Sequence, residues 1–279
     1  MREKTTIQTL LSYKQSGQGI SMLTCYDYAT ATALEVAEID TILVGDSLAS
    51  VLLGYRSTIP ADMDLMIALS LAVRKGAPSA YLIGDMPFLS YQPSIERAML
   101  NAGRFLKEAQ CDAVKLEVTY YHEPIVKALS EAGISVMAHI GLRPQHIDKI
   151  GQYKCHGKTI SQAREIIEDA ERMEAAGATS LLLEAVTTEV AQKVTERSTI
   201  PVISCGSGPT CDGQVLVIHD LLGLPGGSNA KFVKQYGQIG QQMTSCVKQY
   251  IKDVATKSFP AAEHCYHMEK ADKAQLENL

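Results

Sequence analysis

Eight short apolar runs recur along the chain at 21–26, 41–46, 79–85, 112–117, 135–140, 179–185, 200–206 and 214–220. Most are separated by longer amphipathic stretches, and this strand-then-helix rhythm restricts the fold more than any other feature. The runs are near-continuous in Val, Ile and Leu rather than alternating with polar residues, the pattern of strands covered on both faces in a parallel sheet. The stretches between them, such as DMDLMIALSLAVRK and SQAREIIEDAERMEAA, read as helices, and AAGA (175–178) and EAGI (131–134) supply glycine exits from two of them. Strict β-then-α order allows a barrel or a doubly wound sheet, and eight units favour the barrel. The expected fold is therefore α/β, a single (βα)8 TIM-type barrel over residues 1–279. TIQTLLSYKQ (6–15) forms an extra N-terminal helix at the barrel's bottom, and a helical tail begins near Lys231.

Composition removes several classes of function. The formal charge of −5 is spread without long runs of one sign, so nothing resembles a footprint for nucleic acid or an anionic membrane. The N-terminus MREKTTIQTL lacks an apolar leader segment, and no window approaches the roughly 18 apolar residues of a membrane span, which leaves the cytoplasm as the expected location. The seven cysteines are odd in number and scattered, without a C-x-x-C pair, and read as reduced thiols.

A parallel barrel builds its active site at the C-terminal ends of its strands. Asp46 ends the second run, Asp85 the third, Lys115 and Glu117 the fourth, His139 the fifth and Glu184 the sixth. Taken singly, each acid reads as a solvent-facing or helix-capping side chain. Together, three carboxylates at adjacent strand mouths supply oxygen donors without paired His or Cys, which suits a hard cation such as Mg²⁺. Lys115 and Glu117 lie two apart on one strand and share a face, opposite Val114, Leu116 and Val118. A lysine and a glutamate pointing into a barrel are costly unless they meet a charge, a metal or a substrate. The segment 143–159 is the longest insertion, and its place after the fifth strand suggests an active-site loop.

Other motifs compete. Gly45-Asp46-Ser47-Leu48 spells the opening of a GDSL-type esterase with Ser47 as nucleophile, yet no His has Asp three positions before it, and Ala49 breaks the G-x-S-x-G elbow. The loop GSGPTCDGQ (206–214) could present backbone N–H groups to an anion or simply be a tight glycine turn. His264 and His267 in EHCYH read as part of a tail segment docked on the body rather than as metal ligands.

Eleven blocks resemble, in order, the ketopantoate hydroxymethyltransferase family. They are TCYDYATA, LVGDSL, VRKGAP, GDMPFLSY, VKLE, AHIGLRPQ, GQYKCHGK, LLLEAV, IPVI, DGQVLVIHDLLGL and FPAAEHCYH, spanning about residue 20 to 267. The resemblance implies a (βα)8 barrel, 5,10-methylenetetrahydrofolate as one-carbon donor to a small 2-oxo acid, and a homo-oligomer, commonly a decamer. By position it implies Asp46 and Asp85 as Mg²⁺ ligands, with Glu117 completing the shell directly or through water. Substrate contacts are expected from Asp46, Ser47, Asp85, Lys115 and His139, and the resemblance implies Glu184 as general base with Lys115 as the second catalytic residue.

The chain departs from the family pattern at Ala49, at Val118-Thr119 after VKLE, and at Arg143, and the bulkier pair after VKLE is expected to crowd a loop near the substrate. Two rival readings remain on the same barrel. One is a Mg²⁺-dependent lyase or mutase of the phosphoenolpyruvate mutase and isocitrate lyase type, although its usual Cys-bearing loop is missing. The other is a catalytically dead scaffold, which the intact inward charges oppose.

Overall fold

The apolar runs become strands because both of their faces are covered, by barrel interior on one side and by helices on the other. In the computed structural model, which describes residues 2–151, 154–228 and 230–276, these strands are β1 (Ile20–Thr24), β2 (Thr41–Val44), β3 (Tyr81–Asp85), β4 (Ala113–Glu117), β5 (Val136–Gly141), β6 (Ser180–Glu184), β7 (Val202–Cys205) and β8 (Gly213–Leu216). Each pairs in parallel with the next, and β8 returns to β1, which closes the barrel. The expected (βα)8 architecture is the observed one. β8 is shorter than the 214–220 run, because Ile218–Leu222 turns into a helix.

Side-chain alternation sorts the core into two shells. Ile20, Met22, Leu43, Ile83, Ala113, Met137, Leu182, Ile203 and Val215 fill the barrel interior. Val114, Leu116 and Val118 point the other way, into the mantle with Phe105, Val126 and Leu129 of the surrounding helices. Leu10 of the Ile7–Ser16 helix is buried among the interior residues, with Ile7 and Tyr13 packed beside it, so this helix plugs the barrel's bottom as expected. The interior row above the plug is apolar, whereas the next inward positions on β3 to β6 are Asp85, Lys115, Glu117, His139 and Glu184.

The insertion after β5 is structured. It contains a 3-10 turn at Pro144–His146, a helix at Ile147–Ile150 and a bridge from His156 to Val186. Gln152 and Tyr153 of this insertion lie outside the described residues. The tail departs from expectation. Every described side chain from 254 to 276 whose exposure is defined is exposed, including His264 and His267, so this segment does not dock on its own barrel. The preceding helix, Ile239–Ala255, buries no residue either. No helix among the described residues is long and apolar enough to cross a membrane.

Candidate active site

Register brings the polar residues together. Across the sheet Asp85 pairs with Lys115, Glu117 with His139, and Gly141 with Glu184, so successive strands present their chemical groups side by side at one end of the barrel. A cavity of about 360 Å³ opens there, lined by Asp46, Ser47, Asp85, Lys115, Glu117, His139 and Glu184 together with Thr24, Arg56 and Cys205. Every site residue expected from the sequence lies on this one cavity.

Four of them form a buried charge cluster. Lys115 Nζ stands 2.8 Å from Asp85 Oδ1, and the backbone N–H of Asp46 donates to Asp85 Oδ2 at 2.9 Å. Lys115 pairs directly with Asp85, while Asp46 and Glu117 are buried nearby and add their negative charge to its surroundings. Burial pushes Asp85 up to about 8, and Asp46 adds to the rise while Lys115 opposes it. Burial also holds Glu117 well above the usual carboxylate range, with Asp46 and Asp85 raising it further. Burial works against the charge of Lys115, but Asp85, Asp46 and Glu117 outweigh it and hold the ammonium above its ordinary value.

This excess of buried negative charge is what a divalent cation would neutralise. Asp85 Oδ1 also lacks a hydrogen-bond partner of good geometry despite its ion pair. The oxygen-only donor set and the orphaned oxygen fit a hard cation at Asp46 and Asp85. Glu117 is held differently. The backbone N–H of Gln145 donates to both of its carboxylate oxygens, at 3.2 and 3.1 Å. Among the described residues no three Asp, Glu, His or Cys side chains form a ready-made metal cage. The site therefore offers a hard cation two adjacent aspartates, with room for other oxygen ligands, rather than a closed protein shell.

Glu184 sits on the other side of the cavity. It makes no ion pair with Lys115, its Oε2 lies 3.3 Å from His139 Nε2, and its side chain is 19% exposed. Burial pushes it up to about 7, with Lys115 pulling the other way. The residue after it, Ala185, has φ of 48°. A non-glycine residue in the left-handed region costs of order 1 kcal/mol, and here it is held by Ala185 N–H to Cys205 O and His156 N–H to Ala185 O. Gly141 beside it has φ of 99°, and a Cβ there would fall 2.5 Å from the Glu184 carbonyl oxygen, so only glycine permits this approach of β5 to β6.

Three participants were not singled out from the sequence. Gln145 Nε2 donates to Asp46 Oδ2 at 2.9 Å and to the Met86 carbonyl at 3.0 Å. Tyr91 donates its hydroxyl to the Glu117 carbonyl at 2.9 Å. The Tyr26 hydroxyl pairs with Ser47 Oγ at 2.8 Å. All three fall inside the blocks TCYDYATA, GDMPFLSY and AHIGLRPQ, yet uncharged side chains carry no signal in one sequence that separates them from packing residues. The Tyr26 contact also bears on the esterase reading, because the partner of Ser47 is a phenol rather than a base.

The departures at Ala49, Val118, Thr119 and Arg143 do not line the cavity. Val118 packs outward into the mantle, and the Thr119 N–H is tied to His122 Nδ1, so the added bulk faces away from the site. In the 206–214 loop Ser207 turns inward: its N–H donates to Ser204 Oγ and its hydroxyl to the Leu183 carbonyl. Gly206, Gly208 and Gln214 of the same loop line a neighbouring cleft.

Comparison with known proteins extends this geometry. The sequence pattern of a family described as ketopantoate hydroxymethyltransferase matches residues 4–262. The 3-methyl-2-oxobutanoate hydroxymethyltransferase of Thermoanaerobacter sp. (strain X514) is 46% identical over 272 residues, covering 98% of this chain and 99% of its own. That of Bacillus cereus (strain G9842) is 42% identical, covering 99% and 98%. Among solved structures, a phosphoenolpyruvate phosphomutase from Streptomyces platensis subsp. rosaceus superposes with a TM-score of 0.62 at 14% identity, covering 98% of this chain and 96% of that one. A phosphonopyruvate hydrolase complex with oxalate and Mg++ gives 0.61 at 12%, with the same coverage. At such identities these two share the fold alone.

Proposed function

This chain belongs to the ketopantoate hydroxymethyltransferase family, and from that premise we propose that it transfers a hydroxymethyl group from 5,10-methylenetetrahydrofolate to C3 of 3-methyl-2-oxobutanoate, giving 2-dehydropantoate for pantothenate and coenzyme A synthesis. The observation that carries the reading is the division of labour inside one cavity. Asp46, Asp85 and Glu117 gather around Lys115, while Glu184 faces His139 without an ion pair to that cluster. One group of charges suits holding a 2-oxo acid and a cation, and the other suits moving a proton.

Asp46 and Asp85 would hold Mg²⁺, with Glu117 completing its shell directly or through water. Bound there, the cation supplies Lewis-acid polarisation of the substrate's 2-oxo oxygen, which acidifies the proton on C3. Ser47 and Lys115 hold the substrate's carboxylate and oxo group. His139 Nε2, a buried atom without an aligned partner, is placed to donate to a substrate oxygen. Glu184 takes the C3 proton, the electron pair moves toward the 2-oxo oxygen, and Lys115 offsets the charge that develops. C3 then bonds to the donor's methylene carbon, whose two bonds to nitrogen break. Water supplies the hydroxyl oxygen of the product, and tetrahydrofolate leaves.

The chain acts as one domain, in the cytoplasm, where its seven free thiols stay reduced. It assembles as a homo-oligomer, a decamer as in the family it resembles. Support for assembly comes from the Ile239–Ala255 helix, where Met243, Val247, Tyr250, Ile251 and Val254 share one face and are each 46–59% exposed. Proteins of the lyase and mutase type have only the barrel fold in common with this chain.

The test is deuterium exchange at C3 of 3-methyl-2-oxobutanoate, followed by NMR in D₂O with and without Mg²⁺, and then with the folate donor. Mg²⁺-dependent exchange followed by 2-dehydropantoate is expected. Exchange without transfer would replace the reading with another 2-oxo acid reaction, and no exchange by folded protein would remove it.

A further inference from the structure

A second cleft, of about 820 Å³, lies beside the first on the same end of the barrel. The two share Val215, Leu216 and Phe232 in their walls, so they adjoin. The second is also lined by Ala185 and Val186, the residues that follow Glu184, and therefore abuts the place where the C3 proton is removed. Its size falls within the range of sites that take a whole cofactor-sized molecule.

Its lining has a distinct chemistry. Phe232 lies against Gly206, where φ is 71° and a Cβ would fall 2.4 Å from the ring, so glycine lets an aromatic ring sit where the two cavities adjoin. Tyr236 stands farther out, with the Lys234 ammonium 4.6 Å from its ring centre. Lys158 and Lys231 complete a set of three cations on the cleft, against one acid, Glu189. None of the three lysines makes an ion pair among the described residues. In a chain of net charge −5, this is a local reversal of sign.

We propose that this cleft seats the one-carbon donor, with a planar heteroaromatic ring against Phe232 and a carboxylate tail running outward past Lys231, Lys234 and Lys158. The inference rests on the folate-dependent reading above and gives it a location. A ring at the Phe232 junction delivers its methylene carbon to the side of the first cavity that holds Glu184. The flexible cations tolerate tails of different length, and each added glutamate meets the same positive rim.

The probe is 5-formyltetrahydrofolate, which binds without transferring carbon, offered with one or three glutamates to the Mg²⁺-loaded enzyme holding 3-methyl-2-oxobutanoate, with affinity measured by titration calorimetry. The double variant Lys231→Glu/Lys234→Glu should weaken the triglutamate form about tenfold or more and reduce its advantage over the monoglutamate form to near unity. Tyr236→Ala should weaken both forms alike, and an unchanged thermal midpoint certifies the fold of each variant. Affinities equal to those of the unmodified enzyme in both variants would overturn the assignment. So would parallel loss of C3 exchange, which would place the damage in the 2-oxo acid cavity. Turnover plays no part in the binding readout. Failure of the unmodified enzyme to transfer carbon counts against the reaction, whereas unchanged binding counts against the cleft.

Discussion

His139 Nδ1 lies 3.3 Å from Lys115 Nζ, and because an ammonium can only donate, that contact places the imidazole proton on Nε2, 3.3 Å from Glu184 Oε2. Burial and the charge of Lys115 push His139 well below its ordinary value, so the ring is neutral when it does this. One side chain therefore stands between the lysine cluster and the proposed base, with its Nε2–H beside Glu184 but not aligned on it.

Two substitutions separate its contacts. Asn reaches about as far as Nδ1, and Gln about as far as Nε2. Both His139→Asn and His139→Gln should lower turnover roughly tenfold. Only His139→Asn, which removes the Nε2–H standing beside Glu184, should move the acid limb of the pH–rate profile upward. A limb that stays in place in His139→Asn would show that His139 does not tune Glu184.

Glu184 must be ionised to accept the C3 proton, and burial pushes it up to about 7. The protonated form therefore dominates below that value, and C3 exchange should rise with pH up to about 7 and then level off. Glu184→Gln should cut exchange by roughly 10² and erase the limb while leaving Mg²⁺ binding nearly intact. Unaltered exchange would remove Glu184 from the reaction.

Metal removal should expose the charge imbalance of the acid cluster. In the metal-free cavity Asp85 is pushed up to about 8, against about 4 when unfolded. Between those values the folded chain holds a proton that the unfolded chain releases, so stability is greatest at the acid end and falls as pH rises toward 8. In EDTA the thermal midpoint should fall by several degrees between pH 5 and 8, at roughly 3 °C per kcal/mol. Mg²⁺ should flatten the curve, and Asp85→Asn should flatten it without metal while weakening the Mg²⁺ dependence of exchange. A midpoint in EDTA that does not vary with pH would contradict this account.

Gln145 joins three parts of the site, since its backbone N–H holds Glu117 while its side chain reaches Asp46 and the Met86 carbonyl. Gln145→Ala keeps the first contact and deletes the others, leaving a buried carbonyl and carboxylate short of a donor. The expected loss is about 1–3 kcal/mol of stability, read by urea unfolding, together with a raised KM for the 2-oxo acid. Gln145→Glu keeps the size but adds a carboxylate beside Asp46, and it should be the more damaging of the two. Equal behaviour of the two variants would make Gln145 a packing residue.

The barrel and its charged residues were legible because both leave marks in a single chain. Runs such as TILV and SLLLE carry the period of a buried parallel strand, and an acid or lysine ending such a run stands out against its neighbours. Lys115 and Glu117 were readable as inward-facing from their spacing alone. Gln145, Tyr91 and Tyr26 were not, because their positions in the site come from how the loops after β5, β3 and β1 fold back over the mouth. The β8 boundary was misplaced for a related reason, since VLVIHD is apolar enough for a strand while Ile218–Leu222 is a helix. The exposure of the tail was not legible, because hydrophobic spacing shows which residues share a helix face and not what the face meets.

That helix supports the last prediction. Met243, Val247, Tyr250, Ile251 and Val254 fall at helical spacing along Ile239–Ala255 and are exposed in the single chain, although a helix following β8 would ordinarily pack its apolar stripe on the barrel. Exposed apolar surface of this kind is retained where another protein surface covers it, and a second copy of the chain is the occupant that the proposed homo-oligomer supplies. Two aspartates on the stripe, Val247→Asp with Ile251→Asp, place charge where apolar contact is expected. They remove no contact within the chain, because neither side chain is buried in it. The double variant should therefore elute and scatter light as a smaller species, with the barrel's circular dichroism unchanged. Should it keep the mass of the unmodified protein, the stripe is not the assembly surface.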